Sequence, residues 1–169
     1  MINNMNKPAI KTYGNKILRV KASKVQAVSP GIKKLVKDMA GLMYRGKGVG
    51  LAAPQVGVSK RIIIFDTGEG LKCLINPEVV WKQHKELMAE GCLSFPGISL
   101  DIKRWKEILV TATDISGEMI EVKAEDMVAR VIQHEIDHLD GVLIIDRVSA
   151  KELKPIKTEL EKLKKSTKS

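Results

Sequence analysis

The feature that constrains this chain most is the pattern His-Glu-x-x-His at residues 134–138. On an α-helix, residues four apart lie on one face, so His134 and His138 point the same way and can share a metal ion. Glu135 then lies beside the metal, where it can move protons for a water molecule. The pattern therefore predicts a metal-binding helix over about residues 125–140.

A catalytic zinc-type site uses three protein ligands and one open position, so the two histidines need a third partner. Cys92 lies in the Gly- and Pro-bounded segment 90–97 and is a candidate, because a thiolate held in a tight turn can reach the helix across a cleft. The other cysteine, Cys73, lies in an apolar run and is interpreted as a buried small hydrophobe. Two cysteines make no disulfide scaffold, which favours a reducing, intracellular setting.

Apolar spacing predicts an α+β fold, with antiparallel sheets around the central metal-binding helix. An N-terminal helix is expected over about residues 30–45, with Ser29 as its cap. A C-terminal amphipathic helix, starting near Pro155, follows from the helical spacing of four leucine and isoleucine residues after position 150. Strands are predicted at 61–66, 71–75, 79–81, 98–102, 108–113 and 119–122, with a turn at Asn76-Pro77 between the second and third.

The length of 169 residues and the apolar content of 44% predict one catalytic domain over residues 1–169. Within it we expect a flexible N-terminus at 1–9 and a basic helical tail at 150–169. No apolar run approaches the ~20 residues that span a bilayer, so no membrane role is expected. No signal peptide pattern is present at the N-terminus either.

The net charge of +9 is concentrated at the two ends of the chain. Residues 1–37 carry nine Lys or Arg and no acidic residue, and residues 151–169 carry seven Lys and three Glu. These ends are either solvated surface or a contact for an anionic partner such as RNA. An aromatic content of 4% argues against base stacking, so any such contact should be to phosphates and not sequence-specific.

The glycine-rich segment 48–53 loosely fits the Gly-x-Gly-x-x-Ala pattern of dinucleotide-binding folds. That pattern needs a strand before it and a helix after it, whereas here a helix precedes it and Pro54 follows. We interpret the segment as a backbone edge that lines a cleft. Such an edge can offer N–H and C=O groups to an extended peptide.

Three segments resemble the signature motifs of peptide deformylases, in order and at similar spacing. They read Gly-Val-Gly-Leu-Ala-Ala-Pro-Gln at 48–55, Glu-Gly-Cys-Leu-Ser at 90–94 and Gln-His-Glu-Ile-Asp-His at 133–138, and the resemblance runs from about residue 10 to 148. The resemblance implies a hydrolase that removes the N-formyl group from the initiator methionine of new bacterial-type polypeptides and releases formate. It also implies a cytoplasmic setting in preference to an organelle.

The resemblance assigns one divalent metal ion to Cys92, His134 and His138. The metal is Fe(II) in the native family enzyme, with zinc, nickel or cobalt as substitutes. Glu135 would take a proton from the attacking water and deliver it to the departing amine. The side-chain amide of Gln55 and the backbone N–H of Leu93 match the family positions that stabilise the oxyanion.

Substrate contacts are also implied. Met127 and Val131, on the metal-binding helix, are candidates for the slot that takes the methionine side chain. Val49 and Gly50 would give backbone hydrogen bonds to the formyl-Met polypeptide. The basic ends suggest a contact with the ribosome that supplies this substrate.

Three further positions carry expectations. Glu90 either supports a metal ligand while paired with Arg104, or forms a surface ion pair. Lys16 and Asp126 depart from the family pattern, which commonly has Pro and Gly at these places. Neither is a ligand, so the departures bear on local backbone and on the shape of the substrate slot.

Two other function classes compete with deformylation. One is a His-Glu-x-x-His endopeptidase, but such enzymes usually take their third ligand downstream of the helix, whereas Cys92 lies 42 residues upstream of His134. The other is a basic RNA- or ribosome-binding module with a structural metal. A closed structural site would need a fourth protein ligand, and the sequence offers no convincing one.

Overall fold

The computed structural model describes residues 9–167, so the predicted flexible N-terminus lies outside the described residues except for Ala9. The described part of the chain contains four α-helices: α1 (Pro30–Arg45), α2 (Asp126–Leu139), α3 (Ala150–Leu153) and α4 (Lys157–Ser166). Over the same residues it contains five strands: β1 (Gly50–Ala52), β2 (Ile62–Phe65), β3 (Lys72–Cys92), β4 (Phe95–Thr113) and β5 (Met119–Glu125). No helix between residues 9 and 167 is long and apolar enough to cross a membrane.

The five strands form one antiparallel sheet in the order β1-β2-β3-β4-β5, which confirms the predicted α+β class. Strands β3 and β4 are much longer than predicted, because each joins two predicted segments. The expected turn at Asn76-Pro77 is wrong: the strand passes through it with a register shift between Ile75 and Glu78. Asn76 has a φ of +52°, and its side chain exchanges hydrogen bonds of 2.9 and 2.8 Å with the backbone of Val25. These bonds stabilise a bulge where local sequence favours a turn.

Helices α1 and α2 cover opposite faces of the sheet at β2. Ile63 points into the core beneath α2, while Ile62 and Ile64 point into the core beneath α1. Successive side chains of a strand alternate between faces, so a strand buried on both sides must be apolar throughout. This explains the unbroken apolar run of β2, and it places α2 directly against the centre of the sheet.

Helix α1 has the predicted bounds and the predicted cap. The Ser29 side chain accepts a hydrogen bond from the Ile32 N–H at 3.3 Å, which satisfies one free donor of the first turn. The C-terminal helical region begins earlier than Pro155. Ser149 and Glu152 form a capping box at the start of α3, and Pro155 lies in a 3-10 turn between α3 and α4.

A third core joins the two ends of the chain to the β3–β4 hairpin. Leu18 and Phe95 are fully buried there, and Tyr13 stacks on Phe95 with ring centroids 5.1 Å apart. Leu160 of α4 packs into the same core, as expected for an amphipathic helix laid on the body. Val20, which follows a 3-10 turn at Lys16–Arg19, lies outside this core and is 48% exposed.

Candidate metal centre

The structure brings the three predicted metal ligands together. Helix α2 supplies His134 and His138 from one face, and the end of β3 supplies Cys92. One ligand atom of each lies within 4.8 Å of the others, and the Cys92 Sγ lies 3.2 Å from the His138 Nε2. Within residues 9–167 these side chains form the one group of three or more His, Cys, Asp or Glu that could hold a metal ion.

The chemistry of this group fits a transition metal. One thiolate and two imidazoles suit Fe(II), zinc, nickel or cobalt better than they suit magnesium or calcium, which prefer oxygen ligands. The two buried polar side-chain atoms without a hydrogen-bond partner in the described residues are the Glu135 Oε2 and the His138 Nδ1. A buried carboxylate oxygen without a partner is costly, so its presence beside three ligands is typical of a reactive site.

His134 is held in place by the carboxylate of Glu90. The His134 Nδ1 lies 3.0 Å from the Glu90 Oε2, and with Glu90 ionised this nitrogen must donate the proton. The Nε2 is then left as the nitrogen that can bind a metal. Glu90 lies on β3, two residues before Cys92. The strand that carries Cys92 therefore also carries the carboxylate that positions His134.

Two buried guanidinium groups hold Glu90. Arg104 donates two hydrogen bonds to it, at 2.8 and 2.9 Å, and Arg130 donates one at 2.7 Å. Burial alone would raise the pKa of Glu90, but the hydrogen bonds from Arg104 and His134 outweigh burial and lower the pKa to about 2. The predicted pairing of Glu90 with Arg104 is therefore confirmed as a buried support of His134, and the surface alternative is wrong.

The same network continues beyond Glu90 through residues that the sequence did not single out. Arg104 also donates to Asp137 at 2.5 Å, and Asp137 pairs with Arg147 after the end of α2. One turn before Asp137 on the same face of α2, the Gln133 amide exchanges hydrogen bonds of 3.0 and 2.7 Å with the backbone of Trp105. A sequence signal was present for Arg130, since it lies one helical turn before His134, but nothing local showed which carboxylate it meets.

Gln55 is fixed so that its amide nitrogen faces the metal ligands. Its Oε1 accepts a hydrogen bond from the Ala52 N–H at 2.8 Å, which leaves the NH₂ group to point the other way. The Nε2 donates to the Ser94 Oγ at 3.1 Å and lies 3.7 Å from the Cys92 Sγ. Gln55 is 1% exposed, so its amide is a preorganised donor beside the Cys92 sulfur.

Burial also sets the protonation of Glu135. Its residue is 4% exposed, and burial raises the pKa of this carboxyl to about 7. The adjacent His134 opposes this shift without cancelling it. The two carboxyl groups of the centre therefore differ strongly in acidity, with Glu90 ionised and Glu135 able to take up and release a proton near neutral pH.

A cleft of about 700 Å³ opens onto the centre between β1, β3 and α2. The edge of this cleft is formed by Val49 and Met127, which are about half exposed. His138 lies outside its lining and is 1% exposed. The cleft is lined by all the other predicted site residues: Val49, Gly50, Gln55, Cys92, Leu93, Met127, Val131, His134 and Glu135. Their individual roles stay predictions.

Comparison with known proteins decides the family. A family model for polypeptide deformylase matches residues 7–154. The peptide deformylase of Thermodesulfovibrio yellowstonii is 43% identical over 164 residues, which cover 94% of this chain and 96% of that protein. The chain belongs to the polypeptide deformylase family. This membership confirms the predicted activity, removal of the N-formyl group from newly made polypeptides, and the predicted dependence on a metal ion.

Solved deformylase structures share the fold described above. The structure of peptide deformylase from Thermus thermophilus aligns with a TM-score of 0.89 at 37% identity, covering 94% of this chain and 98% of that one. The structure from Thermotoga maritima aligns with a TM-score of 0.81 at 46% identity, covering 83% and 96%. Deformylase membership also decides against the endopeptidase and the RNA-binding module as the main activity.

The glycines of the first deformylase motif are required by close packing. A Cβ atom on Gly50 would lie 2.8 Å from the Val131 Cγ1 and would overlap the Glu135 Oε1. A Cβ on Gly48 would lie 2.6 Å from the Leu93 Cδ1. Both glycines therefore let the backbone before and within β1 approach the side chains of Leu93, Val131 and Glu135 in this deformylase.

Asp126 shows how this chain accommodates its departure from the family glycine. It begins α2 with a φ of +51°, a left-handed conformation that glycine adopts without cost and that Asp tolerates better than most residues. Its carboxylate lies 3.5 Å from the Lys106 Nζ and at the N-terminus of α2, where a negative charge is favourable. The substituted residue therefore preserves the start of the metal-binding helix.

Gly50→Ala is expected to reduce kcat/KM by about 100-fold or more, because the added methyl group displaces the Glu135 carboxylate from its position. Metal content and melting temperature should change much less. The matched control is Gly31→Ala in α1, where the added Cβ meets nothing closer than 3.5 Å. Wild-type activity in Gly50→Ala would show that Glu135 tolerates displacement.

Glu90→Gln is expected to weaken metal affinity by about 10–100-fold, because His134 loses the carboxylate that orients its ring. Affinity can be measured by competition with a chelator. The control is Glu107→Gln, since Glu107 also contacts a histidine Nδ1, that of the exposed His84 at 3.1 Å. If both variants bound metal like the wild type, the Glu90 carboxylate would have no role in holding His134.

Proposed function

We propose that this chain hydrolyses the formamide bond of formyl-methionyl polypeptides in the cleft above Cys92, His134 and His138, and releases formate. The observation that carries this proposal is the position of the Glu135 carboxylate. It is buried in the cleft that Cys92 and His134 also line, and its Oε2 has no hydrogen-bond partner among the described residues. Such an oxygen is available to take a proton from water.

Cys92, His134 and His138 would hold the metal ion, and we propose Fe(II) as the native metal with zinc, nickel or cobalt as substitutes. When bound, a metal of this kind polarises a carbonyl group and lowers the pKa of water. The ion pairs of Glu90 would keep His134 in the correct tautomer throughout. Because Glu90 stays ionised well below neutral pH, the support is constant at working pH.

Glu135 would act as the general base and then as the general acid. The Oε2 accepts a proton from the water that attacks the formyl carbon, and the same proton then passes to the departing amine nitrogen of methionine. A pKa of about 7 suits both steps, because the group is neither too strong nor too weak a base near neutral pH. The buried site also limits exchange of that proton with solvent.

Gln55 and the backbone N–H of Leu93 would stabilise the negative charge that develops on the formyl oxygen. The support for Gln55 is its fixed orientation, with the amide oxygen engaged by Ala52 and the nitrogen directed to the Cys92 side. A donor that is already in place costs nothing to reorganise in the transition state. Losing one such donor typically removes about 2.7–4 kcal/mol of transition-state stabilisation.

The substrate would lie along the edge of β1, with its methionine side chain against Val131 and Met127. The Val49 carbonyl already accepts a hydrogen bond from the Asp66 N–H at 2.9 Å, on the side of β2. Backbone groups alternate along a strand, so the groups of Gly50 face the cleft. In this arrangement Gly50 provides the backbone contact and the Val49 side chain, 50% exposed, forms part of the rim.

Glu135→Gln is expected to reduce formate release from a formyl-Met peptide by at least about 100-fold, because the amide cannot accept the proton. The assay uses anaerobic iron-loaded or nickel-loaded protein, and bound metal should be unchanged. Glu121→Gln, an exposed position on β5, is the control. Retained activity would remove Glu135 from the proposed role, and internal peptide fragments in place of formate would indicate an endopeptidase.

We further propose that the enzyme works in the cytoplasm and contacts the ribosome through α4. The support is the division of this helix into two faces, with Leu160 buried in the body and lysines exposed. Exposed lysines can contact RNA phosphates without reading sequence.

Reversing two of these charges, Lys162→Glu with Lys165→Glu, is expected to weaken ribosome binding and flatten its dependence on salt, because fewer phosphates are contacted. Formate release from a free peptide should not change. Co-sedimentation with ribosomes across salt concentrations measures the effect, with Lys60→Glu and Lys103→Glu as the control for net charge. Equal binding by the two double variants would contradict a specific contact through α4.

A further inference from the structure

A second cavity, of about 960 Å³, lies away from the metal centre and shares no lining residue with the catalytic cleft. It lies at the end of the sheet where β2 turns into β3 and β4 turns into β5. Helix α1 forms one wall, and β5 with the first turns of α2 forms the other. Its volume is in the range of about 300–1,000 Å³ that is usual for small-molecule sites. Nothing in the deformylation mechanism uses it.

The floor of this cavity lies between the two cores that flank the sheet. Phe65, Leu74 and Ala124 reach it from the core beneath α2, and Val36 and Ala40 reach it from the core beneath α1. All five are less than 9% exposed. The floor is therefore a preformed apolar surface that includes two small side chains, Ala40 and Ala124.

Two larger apolar side chains stand at the mouth of the cavity. Leu71 lies at the end of the β2–β3 turn and is 40% exposed, and Ile115 lies in the β4–β5 turn and is 37% exposed. When a ligand covers exposed apolar side chains beside an apolar cavity, removal of that surface from water favours binding. Apolar side chains therefore line both the mouth and the floor of the cavity.

The rim carries cations that lack a carboxylate partner. Lys33 and Lys37 lie one turn apart on the exposed side of α1, and Lys72 lies at the start of β3. None of the three forms an ion pair within residues 9–167, whereas Lys34, between the first two, pairs with Asp38 at 2.6 Å. The three lysines therefore leave positive charge beside an apolar cavity.

The acidic residues of the lining only partly offset this charge. Glu125 already pairs with Lys123 at 2.8 Å. The Asp114 carboxylate accepts three hydrogen bonds from Ser116 and Glu118 of its own turn. These hydrogen bonds do not remove the charge of Asp114, so Asp114 and Glu69 are two carboxylates of the lining against the three lysines of the rim.

We propose that this cavity binds an anionic amphiphile, with an unbranched acyl chain along the apolar floor and a carboxylate or phosphate head group at Lys33, Lys37 and Lys72. The apolar floor provides affinity roughly in proportion to the chain buried. The lysine stems can lie along the chain while their ammonium groups remain in water and pair with the head group. A neutral amphiphile of the same length would bury the same chain on the apolar floor but would form no ion pair with the lysines.

The test uses the full chain with zinc bound, titrated with dodecanoate, dodecyl phosphate and dodecanol below the concentrations at which they form micelles. Saturable binding of either anion, at least about tenfold tighter than dodecanol, supports the proposal. Methyl NMR signals of Val36, Ile120 and Val128 should shift, while those of Val131 and Leu93 should not. A preference between the two anions identifies the head group as a fatty acid or a lipid phosphate.

Variants separate the two halves of the site. Lys33→Gln with Lys37→Gln removes the head-group contact, and Ala40→Leu fills the floor; each should weaken dodecanoate binding at least tenfold with formate release unchanged. Lys60→Gln with Lys103→Gln removes the same charge elsewhere and should leave dodecanoate binding and formate release unchanged. The proposal is overturned by absence of saturable binding, by equal binding of dodecanol, by shifts confined to the catalytic cleft, or by wild-type affinity in the lysine pair variant.

Discussion

The candidate metal centre depends on the hydrogen bonds that the buried carboxylate of Glu90 accepts. It lies on β3 two residues before Cys92, and it accepts hydrogen bonds from Arg104 on β4 and from Arg130 and His134 on α2. A buried charge is costly unless it is paired, and removing one partner of a buried pair typically costs about 3–5 kcal/mol. The strand that carries Cys92 and the helix that carries His134 and His138 are therefore fixed to each other by a contact that tolerates little displacement. This contact gives the three candidate ligands a defined geometry.

The same hydrogen bonds make Glu90 and Glu135 differ in acidity. Glu90 is surrounded by guanidinium groups and has a pKa of about 2, whereas Glu135 is buried without such a partner and has a pKa of about 7. One carboxyl is thus a permanent anion that orients a ligand, and the other can exchange a proton. His134 and Glu135 are adjacent on one helix turn, but their side chains face different surroundings. His134 contacts the Glu90 carboxylate, whereas the Glu135 Oε2 has no hydrogen-bond partner among the described residues.

The predictions that succeeded from sequence rest on local rules. Helices α1 and α2 follow from apolar periodicity and end residues, and the pairing of His134 with His138 needs only helical geometry. The long strands β3 and β4 could not be predicted in this way, because the side chain of Asn76 is held by Val25, 51 residues away in sequence. Likewise, Arg130 is visible as a charge on the ligand face of α2, but its partner on β3 is set by tertiary packing alone.

The glycine motif marks the limit of pattern reasoning most clearly. Its spacing suits a phosphate-binding loop as well as a peptide-binding edge, and only the flanking elements separate the two. The structure gives the physical reason for the glycines: the side chains of Glu135, Val131 and Leu93 occupy the space that a Cβ would need.

Small residues recur where the layers of this fold meet. At β1, Gly50 lets the strand approach α2 closely, whereas the small side chains of Ala40 and Ala124 line the second cavity. In the first place a small residue permits close packing beside the cleft, and in the second place small residues leave room for an apolar cavity bordered by lysines. Both features follow from a sheet that is covered by helices on its two faces and cannot be closed equally well along its whole length.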